Sequence, residues 1–357
     1  MKNNCCIEEN PSNPSSKGNR DWLFIISIIT VSTSYIAYLF SPITEIPHLA
    51  EFIKSNYELM NKMWWGLILG IFFVGIMDLI PRSVVMKILG HKKGIGGILR
   101  ATMAGVLLDL CSHGVLLVGM KLYERGARIS QVMAFLVSSP WNSLSLTVIL
   151  WALIGWEWTL AFIGLSMVIA IITGMIFEWF VAKKILPENP NIIKHENISI
   201  KKSFKEEFKD KIINANFIWK LLIKTLKESR MILRWIFFGV VLASLVRTFI
   251  PPETFSTYFG ATLTGLGMTL IVATILEVCS EGSVPIAADI LTRAGAAGNA
   301  FTFLMTGVAT DYTEIIVLKE TTKSWKIALF LPLVTVPQVL LLGYLLNSFA
   351  IPSAPLS

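Results

Sequence analysis

A chain of 357 residues that is 54% hydrophobic and only 15% charged, with a positive mean hydropathy, is excluded from the ordinary soluble globular class, where about 25% of residues are charged. Its net charge of +7 does not point to nucleic acid, because the basic residues cluster in short loops beside apolar runs, as cytoplasmic loops of membrane proteins do. Four cysteines, Cys5, Cys6, Cys111 and Cys279, make no disulfide framework in a chain of this size.

In chain order, residues 1–21 are a polar tail rich in Asn, Ser and Pro, expected to be disordered. The vicinal pair Cys5-Cys6 within it reads as incidental to a tail, the other reading being a pre-loading site for a thiophilic ion. The run Trp22 to Phe40 has no small-residue cleavage site and is expected to remain as an anchor. With the loop SPITEIPHLAEFIKSNYELMNK it makes an N-terminal unit, 22–63. Further runs long enough for a hydrocarbon core of about 30 Å are Trp64 to Ile80, Ile129 to Gly155, Trp158 to Ala182, Met231 to Ile250, Ala296 to Leu318 and Ile327 to Leu346. Tryptophans such as Trp64, Trp65, Trp156 and Trp158 read as interfacial belt residues. The segment Lys183 to Lys227, with Pro187, Pro190 and eleven lysines, reads as a charged cytoplasmic linker, 185–228, between a first membrane block, 64–184, and a second, 229–350.

The two blocks repeat one another. DLCSHG at 109–114 returns as EVCSEG at 277–282, an offset of 168. GIFFVGIMDLIPRSVVMKILG (70–90) answers GVVLASLVRTFIPPETFSTYFG (239–260), LYERGA answers LTRAGA, and AFLVSSPWN (134–142) falls against FLMTGVATD (303–311). The stretch Pro81 to Arg128 carries Arg82, Lys87, Lys92, Lys93, Arg100, Lys121, Arg125 and Arg128, whereas Pro251 to Ala296 carries Arg293 alone. By the positive-inside rule the repeats then face opposite sides, which needs an odd number of crossings in each. The Cys-containing stretches, Ile98 to Tyr123 and Leu266 to Leu291, are accordingly expected to be re-entrant or broken, with Ser-Xaa-Gly as the breaking phrase. The alternative is a continuous crossing helix in each, with no inversion. The expected fold is all-α: a polytopic membrane protein with two inverted repeats after one N-terminal span, the arrangement of many transporters.

Asp109 and Glu277 stand at equivalent places deep in apolar sequence, where a charge costs at least about 2.5–3.5 kcal/mol. They are candidate proton-coupling groups. Two residues later come Cys111 and Cys279, then Ser112 and His113, or Ser280 and Glu281. Two thiols and an imidazole suit a thiophilic ion, so Cys111, His113 and Cys279 are candidate metal contacts; each cysteine could instead be an apolar filler, His113 a satisfied buried histidine, and Glu281 a proton carrier. Asn142, in Ser139-Pro140-Trp141-Asn142, and Asp311, beside Thr306-Gly307 and Thr310, mark expected helix breaks whose freed backbone could meet a substrate. Asp289 and Glu314 are further intramembrane acids, and Asp78 sits near a span end. No resident cofactor is implied. With no GxxxxGK[ST] phrase, transport is expected to be secondary or passive.

From about Trp64 to Leu346 the chain resembles the predicted permease family that includes the ArsP-type organoarsenical efflux permeases and related metal-efflux permeases. The Cys-Ser-Xaa-Gly phrase, the arginine-glycine-alanine turn, AFLVSSP and EVCSEGSVPIA carry the resemblance. It implies a multi-pass inner-membrane permease of a prokaryote, with Cys111 and Cys279 as candidate metalloid contacts. Where family members often have Pro-Xaa-Cys-Ser-Cys-Gly followed by proline, this chain has Asp109, His113 and Leu116 or Leu117, which leaves a transition metal or an unrelated solute open. The resulting expectation is export of a small thiophilic solute (organoarsenical, metalloid or transition-metal ion), coupled to protons. The expected partners are the solute and the lipid bilayer, not nucleic acid. A membrane-embedded metal-dependent enzyme and a sensory subunit are the alternatives.

Overall fold

The computed structural model describes residues 22–40, 46–77, 94–107, 112–124, 126–138, 144–191, 233–276 and 280–349, and no strand occurs among them. The helices are α1 Trp22–Phe40, α2 Pro47–Met77, α3 Ile95–Leu107, α4 Ser112–Glu124, α5 Ile129–Ser138, α6 Leu144–Ile154 and α7 Trp156–Ala182. They continue with α8 Leu233–Phe249, α9 Pro252–Phe259, α10 Leu263–Leu276, α11 Ser280–Ala294, α12 Ala297–Ala309, α13 Tyr312–Thr322 and α14 Trp325–Phe349.

Three helices, α1, α7 and α14, are long and apolar enough to cross a membrane, and α8 joins them if it is taken with α9 across a bend of 111°. At 1.5 Å per residue the 27 residues of α7 reach about 40 Å, more than the hydrocarbon core needs. This is a membrane protein. Within the runs Ile129 to Gly155 and Ala296 to Leu318, where helix breaks are expected, α5 ends at Ser138 and α6 begins at Leu144, with 139–143 outside the described residues, while α12 ends at Ala309 and α13 begins at Tyr312.

Helix starts reproduce the repeat. Ile95, Ser112, Ile129 and Leu144 open α3 to α6, and Leu263, Ser280, Ala297 and Tyr312 open α10 to α13, each 168 positions later, as 263 is to 95. That register sets Phe135-Leu136 against Phe303-Leu304 and Asp311 against Ser143, one place away from the pairing with Asn142 expected above. The turns recur too. Gly126 and Gly295, at φ 93° and 62°, end α4 and α11 in the left-handed region that glycine enters without penalty. Gly155 before α7 (φ 86°) is answered 168 positions later by Lys323 before α14 (φ 55°).

Packing follows the same rule. In the first series α3 packs on α5, α4 on α5, α5 on α7, α3 on α7 and α6 on α7; in the second α10 packs on α12, α11 on α12, α12 on α14, α10 on α14 and α13 on α14. Lipid offers little hydrophobic drive between helices, so close backbone approach through small residues holds such pairs. A Cβ at Gly174 of α7 would lie 3.1 Å from the Ser130 carbonyl of α5, and one at Gly298 of α12 would overlap the Gly343 carbonyl of α14. Between the series α7 meets α14: Gln338 donates to Thr173 Oγ1 at 3.0 Å, and Phe180 stands edge-on to Phe330 at 4.9 Å between ring centroids.

Three expectations are corrected. Residues 47–62, expected as loop, are the first half of α2, which starts on Pro47, a residue whose fixed φ and missing N–H suit the first helical turn. The stretch Pro251 to Thr262, which the absence of Lys and Arg marks in the sequence as an outside loop, contains α9, opened by Pro252 and buried through Phe255. Ser-Xaa-Gly does not break the helices: α4 and α11 start at Ser112 and Ser280, so Gly114 and Gly282 lie inside them. A Cβ at Gly239 of α8 would stand 2.5 Å from the Gly282 carbonyl oxygen, so the motif glycine serves a helix crossing.

Candidate functional site

The two Cys phrases fall at junctions between helices. Asp109 and Cys111 lie between α3 and α4, and Glu277 and Cys279 between α10 and α11, all four outside the described residues, as are Asn142 and Asp78. Ser112 and His113 form the first turn of α4, and Ser280 and Glu281 that of α11; their side chains are likewise outside the described set. In sequence, each Cys phrase thus runs into the first described turn of a helix. Pro285, inside α11, removes the N–H that would serve the Glu281 carbonyl. Among described residues no three His, Cys, Asp or Glu side chains cluster.

A second break supplies the polar groups that are described. Thr310 ends α12, its N–H and hydroxyl donating to the Thr306 carbonyl at 3.0 and 2.8 Å, and the Asp311 carbonyl accepts from Ile315 N–H at 3.1 Å to begin α13. The break thus sits at Thr310-Asp311, not at Thr306-Gly307, which stay helical. Thr310 Oγ1 also lies within hydrogen-bonding distance, 3.3 Å, of Thr274 Oγ1, in the last turn of α10, three residues before Glu277. That bond ties the α12–α13 break to the helix leading into EVCSEG.

The remaining relations cross between the series. α13, which follows Asp311, packs on α4, which follows Cys111; α11, which follows Cys279, packs on α6, which follows Asn142. The helices that follow the candidate residues are thereby brought together in exchanged pairs, although Cys111 and Asp311 are 200 positions apart in sequence and Asn142 and Cys279 are 137 apart.

Asp289, read from the sequence as a polar group of the membrane interior, is a structural ion. Arg247 donates Nε to both carboxylate oxygens at 3.0 Å and Nη2 to Oδ1 at 2.5 Å, Arg293 lies at 3.8 Å, and Arg247 reaches Glu58 of α2 at 3.4 Å. In the sequence Arg247 is one of two cations, with Arg234, in the apolar run Met231 to Ile250, and nothing local marks it as the partner of Asp289. Glu314, in the first turn of α13, is buried, and neither carboxylate oxygen has a hydrogen-bond partner among the described residues. Trp64 and Trp156 are exposed, as belt residues would be, whereas Trp65 stacks edge-on against Trp151.

Comparison with known proteins places the chain among permeases. A protein of Streptococcus mutans provisionally named a two-component membrane permease complex subunit is 23% identical over 285 residues, covering 79% of this chain and 89% of its own. A Mycobacterium tuberculosis protein provisionally named a permease is 23% identical over 225 residues, covering 58% of this chain and 55% of its own. No solved structure matches. The model of the ArsP_1 family, described as predicted permeases and hence a family of transporters rather than enzymes, matches residues 48–348, which leaves α1 outside it. With that match running from α2 to α14, the chain belongs to the ArsP_1 family of predicted permeases.

Proposed function

We propose that the chain is a multi-pass permease of a prokaryotic inner membrane that exports a small thiophilic solute, an organoarsenical, metalloid or soft transition-metal ion, in exchange for protons. Two repeats, 64–184 and 229–350, face opposite sides and rock about the α7–α14 contact, with the 185–228 linker in the cytoplasm. Cys111 and Cys279 bind the solute where the helix junctions meet, with His113 as a further soft ligand. Ser112, Ser280, Glu281, Asn142 and Asp311 line the path. Asp109 and Glu277 take up protons as the solute leaves.

The observation that carries this reading is the exchanged packing of α4 on α13 and α6 on α11 within one repeated helix register. Two repeats related by a two-fold axis generate such pairs, and discontinuous helices meeting across it form the midplane sites of inverted-repeat transporters. The asymmetry of basic residues between Pro81 to Arg128 and Pro251 to Ala296 supports the inversion. Thiolates are the soft ligands that hold such ions against hydroxyl or carboxylate competitors.

The test is uptake of a trivalent phenylarsenical, and separately of Zn²⁺, into inside-out vesicles. Wild-type protein is expected to accumulate one of them, and Cys111→Ser and Cys279→Ser each to lose that accumulation at equal membrane levels. Undiminished accumulation by both single variants would refute the thiol site.

A further inference from the structure

Among the described residues, Glu314 is the acid whose two carboxylate oxygens are both buried without a hydrogen-bond partner. It is 3% exposed. Other shielded acids are held: Asp289 by Arg247 and Arg293, and Glu178 by Arg128 at 2.9 Å and the Ser130 hydroxyl at 2.5 Å. The residue 168 positions earlier, at the same place in α6, is Leu146, also buried. The repeat therefore uses this position as an apolar packing site, and leucine fills it where packing alone decides. An ionised carboxyl there is costly, so a carboxyl in place of that leucine calls for a use.

The helix that leads into α13 suggests which. α12 carries Thr302, Thr306 and Thr310 at four-residue spacing, hence on one face. The hydroxyls of Thr302 and Thr306 are buried without a partner, and Thr310 bonds Thr274 just before Glu277. Buried polar atoms are normally satisfied, so a row of them ending at a helix break marks a path along which a mobile partner is exchanged. In the first series the equivalent face has Ala134 and Ser138, and the Ser138 hydroxyl donates to the Phe135 carbonyl.

We infer that Glu314 is a proton-exchanging carboxyl of the translocation pathway, supplied by the second repeat alone. This rests on the permease reading above and adds a carboxyl to Asp109 and Glu277. The step is the addition of one proton to the carboxylate from one side and its loss to the other. α13 packs on α4 and α14, whose titratable residues are His113, Lys121, Tyr123, Glu124, Lys326 and Tyr344. On its own element and its ends lie Asp311, Tyr312, Lys319, Glu320 and Lys323. Lys121 is committed to Glu124 at 2.6 Å and Lys319 to Glu320, and Asp311 carries the same sign as Glu314.

Purified permease in liposomes is treated with dicyclohexylcarbodiimide, which adds to protonated carboxyls in apolar surroundings, and the peptide holding residue 314 is weighed by mass spectrometry. The adduct is expected in mildly acidic buffer, to be lost in alkaline buffer, and to be absent from Glu314→Gln. This readout needs no solute, so it decides the inference even where no tested solute moves. With the phenylarsenical as probe, Glu314→Leu, which installs the residue of the first repeat, is expected to keep wild-type thermal stability and solute exchange while losing gradient-driven accumulation. Absence of the adduct at every pH, or gradient-driven accumulation intact in both variants, overturns the inference. So does loss of thermal stability in both variants, which would make the role structural.

Discussion

Arg247 and Asp289 form a two-pronged pair across α8 and α11, with Nε 3.0 Å from both carboxylate oxygens and Nη2 2.5 Å from one of them. Asp289 is 1% exposed, so the pair is desolvated, and Arg247 extends it to Glu58 of α2. Removing one member of a buried pair strands a charge, at about 3–5 kcal/mol, whereas replacing both with apolar residues is often neutral. Asp289→Leu should therefore destabilise strongly, and Arg247→Leu with Asp289→Leu should recover most of the loss in thermal unfolding of detergent-solubilised protein. A double variant no better than the single one would mean that the pair is not the unit of stability.

The crossing of α8 and α11 gives a second prediction. Alanine at Gly239 would drive a methyl group to 2.5 Å from the Gly282 carbonyl oxygen, backbone against backbone, with no flexible side chain to yield. Overpacking of this kind costs about 1–3 kcal/mol. Gly267→Ala is the matched control, since nothing lies within 4 Å of its added carbon, and by helix propensity it should be neutral or stabilising by up to about 1 kcal/mol. Equal melting temperatures for the two variants would contradict the close crossing.

The proposed coupling acids are tested by neutral replacements. Asp109→Asn and Glu277→Gln keep volume and hydrogen bonding while removing the exchangeable proton. Each is expected to leave solute binding by intrinsic fluorescence near wild type and to abolish proton movement accompanying solute in vesicles loaded with a pH dye. A wild type whose transport is indifferent to the proton gradient would remove the proposed coupling.

Topology is tested with single cysteines in a folded background lacking the native four. An impermeant thiol reagent applied to intact cells should label Glu253→Cys, on the exposed side of α9, and spare Lys92→Cys, Glu124→Cys and Ser203→Cys. Labelling at Glu124→Cys with Lys92→Cys protected would show that the first Cys stretch crosses the membrane fully and that the repeats are not inverted.

The sequence by itself determined the membrane class, the helical content and the existence of the repeat. Each of these depends on local quantities: apolar run length against bilayer thickness, and identity of phrases such as DLCSHG and EVCSEG at a constant offset. The candidate thiols and coupling acids were also named from sequence, and they lie outside the described residues. Contacts between distant segments belong to the tertiary structure. The glycine of EVCSEG looked like a helix breaker because local propensity is all that a sequence window reports, and only the approach of Gly239 shows it as a crossing point. Asp289 and Glu314 were two similar acids in apolar runs. Their difference is a partner: Arg247, 42 positions away, reaches one carboxylate, and among the described residues no side chain or backbone group hydrogen-bonds the other. Burial and pairing are properties of the assembled bundle, so the pairing of α4 with α13 and α6 with α11 could be seen only there.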